Sequence, residues 1–266
     1  MSKFSNLLVH FINSIKINFL SGWRLWYHSI FCGLLVMYPI FVSDGQSWKF
    51  IKKYETLIPL NYKIHGIDVS RHNGNINWEK ISQKKTENSI IQFIFIKATE
   101  GSDLVDQSFE HNWRNAKKFG FLRGAYHFFI PYSDPRLQAL NFILNAKHQK
   151  GDFVPVLDFE QNGRTESERE NMVKNVRIWL DIVEKHLGKK PIIYTNRPIY
   201  KDYIKGNLEE YPLWITDFNA KDLNGFDSAN VILWQHSNTG RLEGINEDVD
   251  FNVFLGTPFK LNKFRL

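Results

Sequence analysis

Cysteine is almost missing from this chain. Cys32 is the single one in 266 residues, so no intramolecular disulfide can staple the fold, and this absence favours neither a reducing nor an oxidising compartment. Internal repeats and low-complexity segments are also missing. No His-x-His pair or other tight ligand spacing occurs, which argues against a metal centre. A nucleic-acid footprint is lacking too. The formal charge is +6, but residues 1–62 hold six basic residues against two acidic ones and so carry +4 of it. Over residues 63–266 Lys and Arg mix with acids and do not cluster. What the chain does have is 43% hydrophobic residues, enough at this length for one sizeable core, and 15% aromatics, which suit a sugar-binding cleft or an ordinary core equally.

Only one long hydrophobic run is present. Between Arg24 and Asp44 lie 19 residues without a formal charge, just long enough to span a bilayer, with Trp23, Trp26 and Tyr27 at one edge where interfacial aromatics belong. Phe4, Leu8, Phe11, Ile15 and Phe19 precede it at helical spacing and suggest an amphipathic helix. An uncleaved membrane anchor over residues 1–44 is the preferred reading. A cleaved signal or a buried helix of the fold are the alternatives, and no clear small-x-small cleavage site follows. Lys and Arg number three on each side of the run, so loop charge does not set orientation. Residues 45–62 read as a polar tether.

From residue 63 onward, strand and helix signals alternate. Residues 63–70, 90–98, 122–130, 153–158, 190–195, 212–216, 231–235 and 249–251 read as strands, being short, apolar and rich in β-branched and aromatic residues. Helices are expected over residues 78–84, 107–119 and from Pro135 to about His148. Another follows Thr165, where TESE fits a capping box, and ends at Gly188. Eight strands with helices between the earlier ones predict an α/β fold, a TIM-like (β/α) barrel that becomes irregular late in the chain.

The most telling stretch is residues 151–160, GDFVPVLDFE. Side chains alternate along a strand, so Asp158 and Glu160 point one way and Phe159 the other. Two acids held close cannot both ionise easily, so one pKa should rise, as in the acid pairs of glycosidases. Other polar residues fall at predicted strand ends: Asp68, Lys97, Tyr126, His127, Tyr194, Trp214, Gln235 and Asp250. In an α/β barrel that rim is where active sites form. Lys97 with Glu100 is a substrate-side candidate or a structural ion pair. His127 precedes two Phe and suits a core position.

These residues resemble the glycoside hydrolase family 25 lysozymes, the N-acetylmuramidases. The matching pieces are GIDVS at 66–70, FIKATEG at 95–101, GAYHF at 124–128, PVLDFE at 155–160, IYT at 193–195, LWI at 213–215, WQH at 234–236 and DFNVF at 250–254. The resemblance covers about residues 63–256. It implies an irregular β/α barrel over residues 63–258, followed by a tail at 259–266. It also implies cleavage of the β-1,4 bond from N-acetylmuramic acid to N-acetylglucosamine, so the expected partner is a peptidoglycan glycan strand. No cofactor, metal or nucleic acid is expected. Carried over, Glu160 is the general acid, and Asp158 stabilises charge or orients a reacting group. Asp68 and Asp250 complete the acidic rim, and Tyr126, Tyr194, Trp214 and Gln235 face substrate. Asp158 and the barrel wall should raise the pKa of Glu160. Two other readings are a membrane-tethered peptidoglycan-binding module without activity and a metal-dependent barrel phosphodiesterase. The catalytic domain is expected on the periplasmic or extracytoplasmic side, or free if the first segment is cleaved.

Overall fold

The computed structural model describes residues 47–86, 90–226 and 230–266. In chain order the strands are β1 (Trp48–Ile51), β2 (Thr56–Pro59), β3 (Ile64–Val69), β4 (Ile91–Glu100), β5 (Leu104–Val105), β6 (Leu122–Phe128), β7 (Val156–Asp158), β8 (Ile192–Asn196), β9 (Leu213–Thr216), β10 (Val231–Gly240) and β11 (Val249–Phe254). The main helices are α1 (Trp78–Thr86), α2 (Phe109–Lys118), α3 (Pro135–Ala146) and α4 (Glu166–Leu187). Eight strands run in the order β3-β11-β10-β9-β8-β7-β6-β4, and β4 pairs with β3 to close the barrel. Seven of the eight run parallel. β11 is antiparallel to both of its neighbours, β10 and β3. After β8 the connections carry only short helical turns, as the late scarcity of helix signals predicted.

Alternation along each strand builds this barrel in layers. Phe93 and Phe95 of β4 point inward with Phe153, their ring centroids 4.9–5.7 Å apart, and fill the interior. Neighbouring strands make room with glycine. A Cβ on Gly66 or Gly124 would come within 2.3–2.4 Å of the Phe93 or Phe95 ring. One step higher on the same strands the inward positions turn polar: Asp68 above Gly66, Lys97 above Phe95, Tyr126 above Gly124, Asp158 above Val156 and Tyr194 above Ile192. The outward positions, such as Ile94, Ile96, Ala125, Leu157 and Ile193, join the helices in a second apolar layer.

Helix ends follow the expected chemistry. Asp134 caps α3, accepting from the Arg136 N–H, and Pro135 occupies the first turn. Thr165 and Glu168 form the capping box of α4, and Gly188 ends it at φ +73°. α3 stops at Ala146, short of the expected His148, because Lys147 turns left-handed at φ +42°.

Two expectations are corrected. The supposed tether 45–62 is not a tether over Trp48–Pro59, where β1 and β2 form an antiparallel hairpin packed on the barrel. Trp48 stacks edge-on against Trp234 at 5.3 Å, Tyr54 and Ile58 are buried, and Thr56 Oγ1 donates to Ser237 Oγ at 2.8 Å. The polar residues that suggested a connector, Lys49, Lys52, Lys53 and Glu55, are exposed. The tail 259–266 is likewise structural. Phe264 and Leu266 pack against the inner cluster, while Leu266 exchanges backbone bonds with Gly151 and Asp152 and so closes the barrel's lower end. The expected membrane segment, residues 1–44, lies outside the described residues. Among the described residues no helix is long and apolar enough to cross a membrane.

Candidate active site

Strand β7 ends on Asp158, and the chain is then pinned on both sides. The Phe129 N–H donates to the Asp158 carbonyl and the Phe159 N–H to the Tyr194 carbonyl, both at 2.9 Å. Phe159 buries itself outward against Phe129 and Tyr203. Asp158 and Glu160 are thereby turned inward together, into a cleft of about 410 Å³ at the upper end of the barrel. That cleft brings together all ten sequence-derived site residues: Asp68, Lys97, Glu100, Tyr126, Asp158, Glu160, Tyr194, Trp214, Gln235 and Asp250. Asp250 arrives there by an unexpected route. It sits at the start of β11, and because β11 runs backward its first residues share the rim with the ends of the other strands. Asp250 lies directly across from Asp68.

Asp68 is held by two converging chains. Tyr194 donates to Gln235 Oε1 at 2.8 Å, and Gln235 Nε2 donates to Asp68 Oδ2 at 2.9 Å. From the other side Trp214 Nε1 donates to Asn252 Oδ1 at 2.9 Å, and Asn252 Nδ2 donates to the same Asp68 oxygen at 2.7 Å. Trp214 is itself wedged between Phe95 and Tyr194, at 4.6 and 4.8 Å, and forms the cleft floor.

The acids cannot all be charged. Burial raises Asp68 to about 6, although bonds from Asn252, Gln235 and Asp250 oppose the rise. Burial, the Asp68 charge and the bond to Asp68 push Asp250 up to about 9, so Asp250 keeps its proton and donates it to Asp68. Asp158 is raised well above the usual carboxylate range by burial and then by Glu160. Its Oδ1 is buried without a hydrogen-bond partner. Glu160 is raised by burial first and by the Asp68 charge second, so the expected pressure from Asp158 is not the main one. The cation is Lys97, which lowers both members of the pair, bonds Glu100 at 2.7 Å and lies 4.5 Å over the Phe128 ring. Lys97 and Glu100 are thus an ion pair and cleft lining at once. The phenols of Tyr126 and Tyr194 are pushed well above their ordinary value by burial and the surrounding acids, and remain hydrogen-bond donors.

His127 is a core residue, as its setting in the sequence suggested. Its Nε2–H donates to Gln138 Oε1 at 3.2 Å, its Nδ1 accepts from Thr99 Oγ1 at 2.7 Å, and burial lowers its pKa to about 3. Sequence reasoning gave no role to Asn252, although its position two after Asp250 on one strand places both on the inner face. It also missed Ser70, Arg71, His72 and Phe128 in the lining. Asp106 lies outside the cleft lining. Its carboxylate accepts from the Arg71 and Ser108 N–H groups and fixes the turn after β3. Among the described residues no three His, Cys, Asp or Glu converge in a geometry that could hold a metal ion.

With this geometry in view, the comparisons with known proteins are consistent. The sequence model of "Glycosyl hydrolases family 25" matches residues 67–245. The protein YegX of Escherichia coli K12 is 41% identical over 214 residues, covering 80% of this chain and 78% of that one. Lysozyme M1 of Streptomyces globisporus is 31% identical over 212 residues, covering 74% of this chain and 70% of its own. The structure of a family 25 glycosyl hydrolase from Bacillus anthracis superposes with a TM-score of 0.70 at 34% identity, over 79% of this chain and 96% of that one. An acid-lined cleft on a barrel with one reversed strand, a family match over most of the barrel and relatives of this identity lead to one assignment: the chain is a glycoside hydrolase of family 25.

Proposed function

We propose that the enzyme is a lysozyme that hydrolyses the β-1,4 bond from N-acetylmuramic acid to N-acetylglucosamine in peptidoglycan, with Glu160 as general acid. The observation that carries this reading is the inward-facing pair Asp158 and Glu160, both with raised pKa, on the rim of a family 25 barrel. Glu160 is the more open of the two and reaches the leaving oxygen. Its raised pKa keeps the proton available above the usual carboxylate range. Asp158 lies deeper, and its unpaired Oδ1 accepts an N–H of the substrate or faces the positive charge that develops at the sugar carbon. Asp68, fixed by four side chains through two chains of bonds, holds the negative charge that sustains Glu160 as an acid. Tyr126, Tyr194, Trp214, Gln235, Lys97 and Glu100 form the substrate-side wall.

A binding module without activity has no use for two carboxyls held against their own charge. A metal-dependent phosphodiesterase would need Asp68 as a ligand, yet its Oδ2 already receives two N–H donors. Release of dye from labelled cell walls tests the proposal. Glu160→Gln should lower the rate by about 10²–10⁴-fold while the fold is kept, because the amide preserves shape but carries no acidic proton. A rate within about threefold of the unaltered enzyme would remove Glu160 from this role.

Residues 1–44 are read as the membrane anchor of this enzyme, with the barrel on the wall side. The support is the 19-residue uncharged run with its aromatic edge. Full-length protein should then fractionate with membranes and resist a high-salt wash, since burial and not charge holds a spanning helix. Full-length protein found in the soluble fraction with its N-terminus intact would overturn the anchor. A mature N-terminus near Ser43 would make the segment a cleaved signal.

A further inference from the structure

The strand that supplies Gln235 to the cleft carries a second pocket on its other face. Gln235 points inward to Asp68, and the next residue of β10, His236, faces outward. There the hairpin β1–β2 and the segment after β9 wall a pocket of about 620 Å³, larger than the catalytic cleft. That volume falls within the ~300–1,000 Å³ typical of small-molecule sites. The walls are tied together: Trp48 Nε1 donates to the Lys221 carbonyl at 3.1 Å, Thr56 Oγ1 to Ser237 Oγ at 2.8 Å, and the Arg241 N–H to the Tyr54 carbonyl at 2.8 Å. The pocket is therefore preformed. Its hairpin wall lies outside residues 67–245, the stretch that the family model matches.

Three properties define its ligand. Phe50 and Phe218 line the pocket with 57% and 43% of their surface open, and a flat exposed ring in a concavity suits stacking against the C–H face of a sugar ring. The polar lining is mainly neutral: Asn219, Ser237, Asn238 and Thr239 offer amides and hydroxyls that both donate and accept, and Glu55 and Lys221 cancel in charge. Finally, the His236 ring is only 5% exposed, and neither ring nitrogen has a hydrogen-bond partner. Burial lowers its pKa to about 3, so it is neutral, with one N–H and one lone pair unmet. Leaving such groups unsatisfied is costly, and an acetamido group can meet one of them, its carbonyl accepting from the ring N–H or its N–H donating to the ring lone pair.

We propose that this outer pocket is a second, non-catalytic carbohydrate site that binds an N-acetylamino sugar of the wall glycan. The choice of glycan rests on the lysozyme reading above. The site would hold the insoluble polymer beside the cleft, raising the local concentration of scissile bonds.

Full-length protein carrying Glu160→Gln, which leaves the polymer uncut, is the material for the test. Titration with N-acetylglucosamine should shift the ring ¹⁵N signals of His236. Adding Phe50→Ala and Phe218→Ala should abolish that shift and weaken co-sedimentation with purified cell walls about tenfold. Both side chains are exposed and outside the core, so the fold should be kept. In the enzyme with Glu160 intact, the same pair should raise KM on insoluble walls about tenfold, with kcat and turnover of a soluble tetrasaccharide unchanged. Undiminished wall binding, or His236 signals moved by a stem peptide and not by the sugar, would overturn the carbohydrate site. Failure of the lysozyme reading would appear separately, as absence of dye release, since the sugar titration needs no hydrolysis.

Discussion

Asp68 is the residue on which most of the cleft's electrostatics turn. It receives two side-chain N–H donors on one oxygen, shares the Asp250 proton and is the leading charge acting on Glu160. Asp68→Asn removes a negative charge, which lowers the pKa of Glu160. The acid would then lose its proton at lower pH, so the basic limb of the kcat/KM profile should move down. An unmoved limb would mean that Asp68 does not act on the acid. At this scale the sequence was informative wherever alternation applied. Asp158 and Glu160, Asp68 and Tyr194 were all legible as inward strand-end residues, and Asn252 could have been found in the same way. Asp106 could not, because it sits in a turn whose course only the folded chain defines. Nor could the buried fork of Arg123 on Asp152, at 2.8 and 3.1 Å, since partners 29 residues apart leave no local signal.

Among the elements, the hairpin β1–β2 departs most from expectation. Its lysines suggested a solvated tether, yet Trp48 packs on Trp234, and Tyr54, Thr56 and Ile58 are buried. Burying a large apolar side chain contributes about 1.5–3 kcal/mol, so the hairpin stabilises the domain by several kcal/mol. A chain beginning at Asp44 should fold, stay soluble and retain activity. One beginning at residue 60 should melt roughly 10 °C lower or fail to fold, given about 2–4 °C per kcal/mol for a domain of this size. Equal melting temperatures would show that the hairpin contributes nothing. The reversed strand β11 was also hidden in the sequence. Its apolar run reads the same in either direction, and only its pairing with β3 and β10 reveals that Asp250 begins the strand that brings it to the rim.

For the whole molecule, buried titrating groups set the pH range of stability. Asp250, raised from 3.8 to about 9, favours the fold fully below its unfolded pKa, and that contribution is lost as pH rises towards 9. His127 and His236, lowered from 6.5 to about 3, act in the opposite sense: their contribution is present above 6.5 and lost as pH falls towards 3. Stability should therefore peak at mildly acidic to neutral pH. Thermal melts should show a decline from pH 6 to pH 9 that is smaller in Asp250→Asn; an equal decline in both would show that the cleft does not store that proton. The barrel class, its eight strands and its late irregularity were all readable from strand spacing and missing helix signals. Its closure by the tail was not, because residues 259–266 carry no pattern that names the far end of the barrel as their partner.

The reaction is defined by the identity of the bond that is cut. Purified peptidoglycan digested with the full-length enzyme, reduced with borohydride and analysed by mass spectrometry, tests it most directly. Muropeptides ending in reduced N-acetylmuramic acid are expected, formed about 10²–10⁴-fold more slowly with Glu160→Gln. Fragments ending in reduced N-acetylglucosamine would exclude this bond, and products formed at the same rate by both proteins would exclude Glu160 as the acid.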